Sequence, residues 1–188
     1  MELQGLPAAA SWIHTGARRG FEVLFTAPGR LRGRTTAREN DSTWSVGYDI
    51  TVAADWATTA VRAMNSTAAG DRETVLERHG HTWTVDGSPR PDLDGCLDVD
   101  FESSAVTNTL PVHRLTFVAG SPLDVPAAFV RADDLSVERL EQRYTLLRSS
   151  AEQYVFHYES PTFDFGCTLT FDTSGLVLEY PDIATRDH

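Results

Sequence analysis

The chain has 188 residues, of which 41% are hydrophobic, so it suits a single globular domain (1–188) and is not a disordered polypeptide. Its formal net charge of −11 argues against nucleic acid, and against an anionic membrane surface, as a partner of the whole molecule. No apolar run is long enough to span a bilayer and the N-terminus lacks a signal-peptide pattern, so we expect a cytoplasmic protein without a transmembrane segment.

The charge is unevenly distributed along the chain. The first 38 residues contain six arginines against only Glu2 and Glu22, and lysine is absent from the whole sequence. The two cysteines, Cys96 and Cys167, are expected to be reduced thiols. No His or Cys pair has zinc-ligand spacing and no Gly-rich phosphate loop is present, so we expect neither a metal nor a cofactor.

Period-two alternation of apolar residues dominates the sequence and predicts half-buried antiparallel strands. In chain order the predicted strands are Phe21–Ala27, Leu31–Ala37, Trp44–Val52, Thr58–Ser66, Thr74–Arg78, Thr82–Val85, Arg114–Val118, Val125–Arg131, Tyr154–Tyr158, Phe163–Phe171 and Leu176–Tyr180. Turn-forming dipeptides such as Pro28-Gly29 and Asp86-Gly87 separate them. The fold class is therefore all-β, and we expect a single large curved antiparallel sheet or a barrel with few or no helices.

One segment fits two patterns. In Ser136–Leu147 the apolar residues have helical spacing, with Ser136 as an N-cap, but the later residues also alternate as in a strand. The β-rich surroundings favour a strand from about Glu141, with a short helical turn before it.

The segment Asp92–Leu115 carries the most chemical information. Its first half alternates apolar residues with Asp92, Asp94, Asp98, Asp100 and Glu102, which predicts a strand with five carboxylates on one face. Most such faces are solvated or paired with arginine, although Asp98 and Asp100 are close enough to cooperate as a catalytic acid and base. The spacing does not match a calcium loop.

Several blocks of this sequence form a recognisable set. The central block runs from Gly95 to Asp100 and resumes at Thr107-Asn-Thr-Leu-Pro-Val-His-Arg-Leu. The other blocks are Tyr48–Trp56, Trp83 with Asp86-Gly87, Gln142-Arg-Tyr-Thr, and Gly175 to Pro181. Together they resemble the bacterial putative glycolipid-binding family, and the resemblance covers a core of about residues 12–181. It differs from the family pattern where Glu22 is followed by Val23 rather than His, and where Ala105-Val106 replaces Pro-Phe.

The resemblance implies a spiral, roll-like β-sheet, or an open barrel, that binds an amphipathic ligand such as a glycolipid. The Thr107–Thr109 corner offers hydroxyl and amide groups to a sugar, while its structural alternative is a fixed turn between strands. Arg32 and Arg34 share a strand face with Arg30 and suit an anionic head group, the alternative being a solvated face. The other candidate ligand-binding residues, which lie in the similar blocks, are Tyr48, Trp56, Trp83, Arg114, Gln142 and Tyr144.

Three functions remain open from the sequence. The first is non-catalytic binding of an amphipathic small molecule or glycolipid. The second is an enzyme that acts on a glycan or lipid with Asp98 or Asp100 as acid/base, and the third is a protein-interaction scaffold. We also expect Arg114 to return beside Asp98 or Asp100 and to pair with one of them, which would offset the repulsion between these carboxylates. The oligomeric state does not follow from the sequence.

Overall fold

The computed structural model describes residues 2–187 and is built almost entirely of β-strands. The strands are β1 (Ala9–His14), β2 (Arg18–Ala27), β3 (Arg30–Glu39), β4 (Ser42–Val52), β5 (Thr58–Thr67), β6 (Gly70–His79), β7 (Thr82–Val85), β8 (Ser88–Pro89), β9 (Asp98–Phe101), β10 (Pro122–Asp124), β11 (Ala127–Val130), β12 (Val137–Leu140), β13 (Arg143–Ser149), β14 (Gln153–Ser160), β15 (Phe165–Asp172), β16 (Val177–Tyr180) and β17 (Ala184–Asp187). The one α-helix in this part of the chain, α1, spans Thr109–Arg114, and three short 3-10 helices lie at Pro91–Leu93, Val106–Asn108 and Pro161–Phe163.

Fourteen strands form one antiparallel sheet that does not close into a barrel. The order is β10-β13-β14-β15-β16-β17-β1-β2-β3-β4-β5-β6-β7-β8, so the sheet consists of two meanders joined where the first and last strands pair. In that junction Trp12 lies opposite Arg186 and His14 lies opposite Ala184. The prediction of a single large open antiparallel sheet is therefore confirmed.

A second sheet of three strands, ordered β12-β11-β9, packs against the inner face of the large one. β9 and β11 run parallel, which is the one parallel pairing among the described residues. The rings of Phe101 and Tyr48 lie 5.5 Å apart, and Asn65 Nδ2 donates to the backbone oxygens of Ala132 and Asp133, at 3.1 and 2.9 Å. The hydrophobic core therefore fills the space between the two sheets.

Gly33 allows one side chain to cross the inner face of the large sheet. A Cβ at this position would lie 2.2 Å from the Tyr48 ring, so only glycine lets the ring pass over β3. The Tyr48 hydroxyl then reaches Glu22 on β2, at 2.8 Å from Oε1. A residue on β4 thus contacts a residue two strands away.

Most predicted strands are present, and three local expectations are wrong. Arg114–Val118 is not a strand, because Thr109–Arg114 is helical and the chain leaves α1 in irregular structure. Pro111 is tolerated there because the first turn of a helix does not use its own N–H groups. The expected helical turn after Ser136 is instead strand β12.

The third concerns the acidic face: of its two structural alternatives, solvation is wrong for Asp98 and Asp100, and pairing with arginine holds for Asp98. Asp92 and Asp94 are exposed, but all four residues of β9 are buried, so Asp98 and Asp100 are removed from water. Both faces of β9 are covered: Phe101 contacts Tyr48, and the opposite side contacts the Thr107 region and α1. The alternating sequence of β9 is typical of a strand with one buried face. Here both faces are buried, because helical segments cover the polar one.

Candidate functional site

A pocket of about 280 Å³ lies between the small sheet and the β14–β16 part of the large sheet, and we call it the Asp100 pocket. Such a volume is near the lower end of the range for small-molecule sites. Polar and aromatic side chains from both sheets form its wall. The lining residues are Arg18, Asp100, Phe101, Glu102, Ser104, Asn108, Phe129, Arg131, Leu140, Tyr158, Ser160, Phe163, Phe165, Tyr180 and Ile183.

Asp100 is the buried acidic group of this pocket. The hydroxyl of Thr107 donates to its Oδ1 at 2.5 Å, and the backbone N–H of Phe101 donates to the Thr107 oxygen at 3.2 Å. Burial raises the pKa of Asp100 to about 7, because the loss of water destabilises the ionised carboxylate more than the hydrogen bond from Thr107 stabilises it. Near neutral pH the carboxyl group can therefore either donate a proton or accept a hydrogen bond.

Two further polar groups face the pocket with spare hydrogen-bonding capacity. Asn108 accepts a bond from the Tyr144 hydroxyl at 2.7 Å, while its Nδ2 has only a long contact of 3.4 Å to Ala105 O. Ser160 is 1% exposed and lies beside the Tyr158 hydroxyl, but its Oγ has no partner with hydrogen-bond geometry among residues 2–187. The Ser160 hydroxyl therefore keeps hydrogen-bonding capacity that the residues around it do not use.

Aromatic side chains form the apolar part of the pocket and its rim. Phe163 and Phe165 remain 42% and 36% exposed, and Phe129 packs on Phe163 with ring centroids 5.4 Å apart. The Arg131 guanidinium lies over both Phe129 and Phe163, at 5.2 and 5.1 Å from the ring centroids. The rim therefore combines exposed aromatic surface with a cation.

A second buried carboxyl group lies behind the pocket. Glu22 accepts hydrogen bonds from the Tyr48 hydroxyl, from the Ser104 hydroxyl and from the Ala105 N–H, the last at 2.9 Å. Burial raises the pKa of Glu22 to about 7 although these three donors oppose the shift. Ser104 lines the pocket, so it connects Glu22 to the pocket wall.

Arg114 and Asp98 form a bidentate ion pair beneath the pocket. Arg114 Nε lies 3.0 Å from Oδ1 and Nη2 lies 2.6 Å from Oδ2, and the Asp98 side chain is 1% exposed. The expected pairing of Arg114 is therefore observed. Burial raises the pKa of Asp98 while the arginine counters that shift. Neither residue lines the Asp100 pocket, so Asp98 and Asp100 do not face the same space.

The other residues predicted for a ligand site are dispersed. Gln142 and Tyr144 are buried behind the pocket and hold Tyr158 and Asn108 by hydrogen bonds of 3.1 and 2.7 Å. Thr109 is buried and donates to Gly175 O at 2.9 Å. Of the predicted corner Thr107–Thr109, only Asn108 lines the pocket. Thr107 does not line it, but its hydroxyl donates a hydrogen bond to Asp100, which does.

The two predicted tryptophans and two predicted arginines lie elsewhere. The Trp83 indole is buried and donates to Cys96 O at 2.9 Å. Trp56 stacks on His113 at 3.8 Å and lines a separate cavity of about 430 Å³ beside the β2–β3 turn. Arg32 and Arg34 point to the outer face of the large sheet, away from the inner core.

Several pocket residues were not predicted from the sequence as site residues. The main ones are Arg18, Ser104, Phe129, Arg131, Ser160, Phe163, Phe165 and Tyr180. Tyr158 and Phe165 lie in predicted strands, but neither was assigned to a site. The two departures from the family pattern, at Glu22-Val23 and at Ala105-Val106, were local signals, since the backbone N–H of Ala105 donates to Glu22 next to the pocket.

Within residues 2–187, no group of three or more His, Cys, Asp or Glu side chains is arranged to hold a metal ion. In the same part of the chain, no helix has the length and apolar character needed to cross a membrane.

The fold and the pocket define a class: an all-β protein whose open antiparallel sheet encloses a small second sheet and leaves a partly polar pocket between them. The sequence profile of the family described as putative glycolipid-binding matches residues 10–186, and the chain belongs to this family. A crystal structure of a DUF1089 family protein from Pseudomonas aeruginosa, at 1.80 Å resolution, is similar throughout. It is 28% identical with a TM-score of 0.79, over 99% of this chain and 96% of that one. No protein of curated function matches this chain.

Proposed function

We propose that the Asp100 pocket binds the polar head group of an amphipathic ligand, with a sugar as the best-fitting head. The observation that carries this proposal is the unpartnered Ser160 hydroxyl beside Asp100 and Asn108 in a pocket with an aromatic rim. Sugars offer several hydroxyl groups and an apolar ring face, so they need hydrogen-bonding groups and an aromatic surface together. The family's glycolipid-binding description supports the same ligand class.

The rim explains why the ligand is proposed to be amphipathic rather than a free sugar. Phe163 and Phe165 expose aromatic surface at the mouth, where an alkyl chain attached to the sugar would cover it. The pocket itself, at about 280 Å³, holds a head group but not a long chain in addition. The alkyl chain of the ligand is therefore proposed to lie along the aromatic rim.

The first test of binding is to identify any ligand that remains bound to the protein after purification. Native mass spectrometry of the intact protein, followed by solvent extraction, should detect a retained amphipathic molecule. Isothermal titration with octyl glucoside should then give saturable binding, whereas glucose and octanol alone should bind at least tenfold more weakly, because each supplies only one of the two contact types. Equal binding of octanol and octyl glucoside would contradict a role for the sugar.

Variants locate the site. Ser160→Ala and Phe163→Ala should each weaken octyl glucoside binding while leaving the fold intact. Leu147→Ala is the matched control, since Leu147 is 52% exposed on β13 and lies outside the pocket. An effect of the control as large as that of Phe163→Ala would contradict the placement of the ligand.

One observation favours a second candidate, an acid/base enzyme that acts on a glycan or lipid. Asp100 has a pKa raised to about 7 inside the pocket, which suits a general acid at neutral pH, whereas Asp98 is engaged by Arg114. Incubation with 4-nitrophenyl glycosides and esters distinguishes the candidates. Turnover that is lost in Asp100→Asn would indicate an enzyme, and intact ligand recovered after incubation would indicate a binding protein.

A further inference from the structure

The outer face of β1–β3 carries exposed apolar and basic side chains in alternation, and we call it the arginine face. It consists of Ile13, Phe21 and Phe25 together with Arg19, Arg32, Arg34 and Arg38. The strand register places Phe21 opposite Ile13 and Phe25 opposite Arg32, and directly opposite residues on one face contact each other. This face is the reverse of the one that packs on the core.

The apolar side chains of this face are unusually exposed. Ile13, Phe21 and Phe25 are 49%, 38% and 53% exposed, and Met64 on β5 is 42% exposed on the same side of the sheet. Single exposed apolar residues are ordinary, but three large ones on two adjacent strands form a patch. Folding of this chain gains nothing from leaving them in water.

Among residues 2–187, none of the arginines Arg19, Arg32, Arg34 and Arg38 forms a salt bridge, although Asp49, which pairs with Arg30, lies directly opposite Arg32. Arg19 lies directly opposite Arg38, and such like-charge pairs destabilise a sheet. Stability therefore does not explain this arrangement.

Arg34 is held flat against the sheet. Its Nη1 donates to Ser45 Oγ at 2.9 Å, and a Cβ on Gly47 would lie 3.1 Å from the guanidinium, so the glycine makes room for it. A guanidinium held in this way offers its remaining N–H groups to an approaching anion in a fixed fork.

We propose that the arginine face docks onto the anionic surface of a lipid bilayer. The four arginines would bind lipid phosphates, and Ile13, Phe21 and Phe25 would enter the boundary between head groups and acyl chains. The net charge of −11 argues against attraction of the whole molecule, but charges farther from the membrane than a Debye length of about 8 Å are screened, so the local charge of the arginine face decides. The face exposes three large apolar side chains beside its arginines, which suits a membrane better than nucleic acid.

Sedimentation with vesicles tests the proposal. The protein should pellet with vesicles of phosphatidylcholine mixed with phosphatidylglycerol and not with phosphatidylcholine alone, and added salt should release it. Each arginine near an anionic surface contributes about fivefold in the partition coefficient, so Arg32→Gln/Arg34→Gln should lower it about 25-fold. Phe21→Ser/Phe25→Ser should also lower it.

Matched variants and a second readout make the outcome decisive. Leu147→Ser/Arg148→Gln removes an equally exposed apolar residue and arginine from β13 and should pellet like the wild type. If the first arginine variant fails to fold by circular dichroism, Arg19→Gln/Arg38→Gln serves in its place. Pelleting that is independent of phosphatidylglycerol overturns the proposal. A second result would also overturn it: the wild type does not bind vesicles, light scattering shows that it is a dimer, and the arginine variant is a monomer. The partner of the arginine face would then be a second copy of the chain.

Discussion

Arg114 reaches from the last turn of α1 to the carboxylate of Asp98 in β9 and forms two hydrogen bonds with it, at 3.0 and 2.6 Å. The Arg114 and Asp98 side chains are 11% and 1% exposed, so water does not screen the pair. The interaction joins the inner three-stranded sheet to the helix that leads away from the Asp100 pocket. Its loss would leave a buried charge without a partner.

We therefore expect Arg114→Ala to lower the free energy of unfolding by about 3–5 kcal/mol. Urea denaturation followed by tryptophan fluorescence measures this loss. Arg143→Ala is the control, because Arg143 pairs with the exposed Asp124 and should change stability far less. An Arg114 variant as stable as the Arg143 variant would exclude a structural role for the buried pair.

Glu22 should make stability depend on pH. Its pKa is raised from 4.5 in the unfolded chain to about 7 in the folded protein, so the folded state binds the proton more tightly. This group therefore stabilises the fold at low pH and loses that contribution as pH rises from about 4.5 to 7. Glu22→Gln has no such titration, so its stability relative to the wild type should improve by about 2–3 kcal/mol between pH 5 and pH 8.

The matched measurement is urea denaturation of both proteins at the two pH values. Asp49→Asn serves as the control: the hydrogen bond with Arg30 lowers the pKa of Asp49, so Asp49 stays ionised in the folded and unfolded states between pH 5 and pH 8 and the stability difference from the wild type should stay constant. A constant stability difference between Glu22→Gln and the wild type would show that Glu22 does not titrate in this range.

Asn108 and Tyr144 should be energetically coupled. The Tyr144 hydroxyl donates to Asn108 Oδ1 at 2.7 Å, and both residues are buried. Asn108→Ala should cost about 1–3 kcal/mol because it leaves this hydroxyl without an acceptor. In a double-mutant cycle with Tyr144→Phe the two losses should not add, and the coupling should be about 1 kcal/mol. Additive losses would show that the hydrogen bond contributes nothing.

Gly33→Ala should disrupt the contact between Tyr48 and Glu22. The new Cβ would lie 2.2 Å from the Tyr48 ring and 2.5 Å from Val23 O, so either the ring or the β2–β3 pairing must shift. We expect the free energy of unfolding, measured by thermal or urea denaturation, to fall by about 1–3 kcal/mol. Gly166→Ala, where a Cβ meets Tyr158 O at 3.5 Å, is a strand glycine without this clash and should be tolerated.

The positions of most strands follow from the sequence itself. Alternation along Trp44–Val52 predicts β4 (Ser42–Val52) because a strand places successive side chains on opposite faces, whatever lies around it. β1 and β17 were not predicted, since each is short and is stabilised largely by pairing with the other and with β2 or β16. The helix Thr109–Arg114 was not predicted, because a six-residue helix has too few turns to show a period.

The site was less accessible to prediction, because it depends on which groups lose water. The sequence places Asp98 and Asp100 on one strand face, and that pattern is the same whether solvent or protein covers the face. The sequence itself therefore determined the all-β class, the strand faces and the pairing of Arg114 with a neighbouring carboxylate. Only the tertiary structure decided that α1 and the 3-10 helix Val106–Asn108 cover that face, which brings Asp100 to Tyr158 and Ser160 in one pocket and raises its pKa through burial.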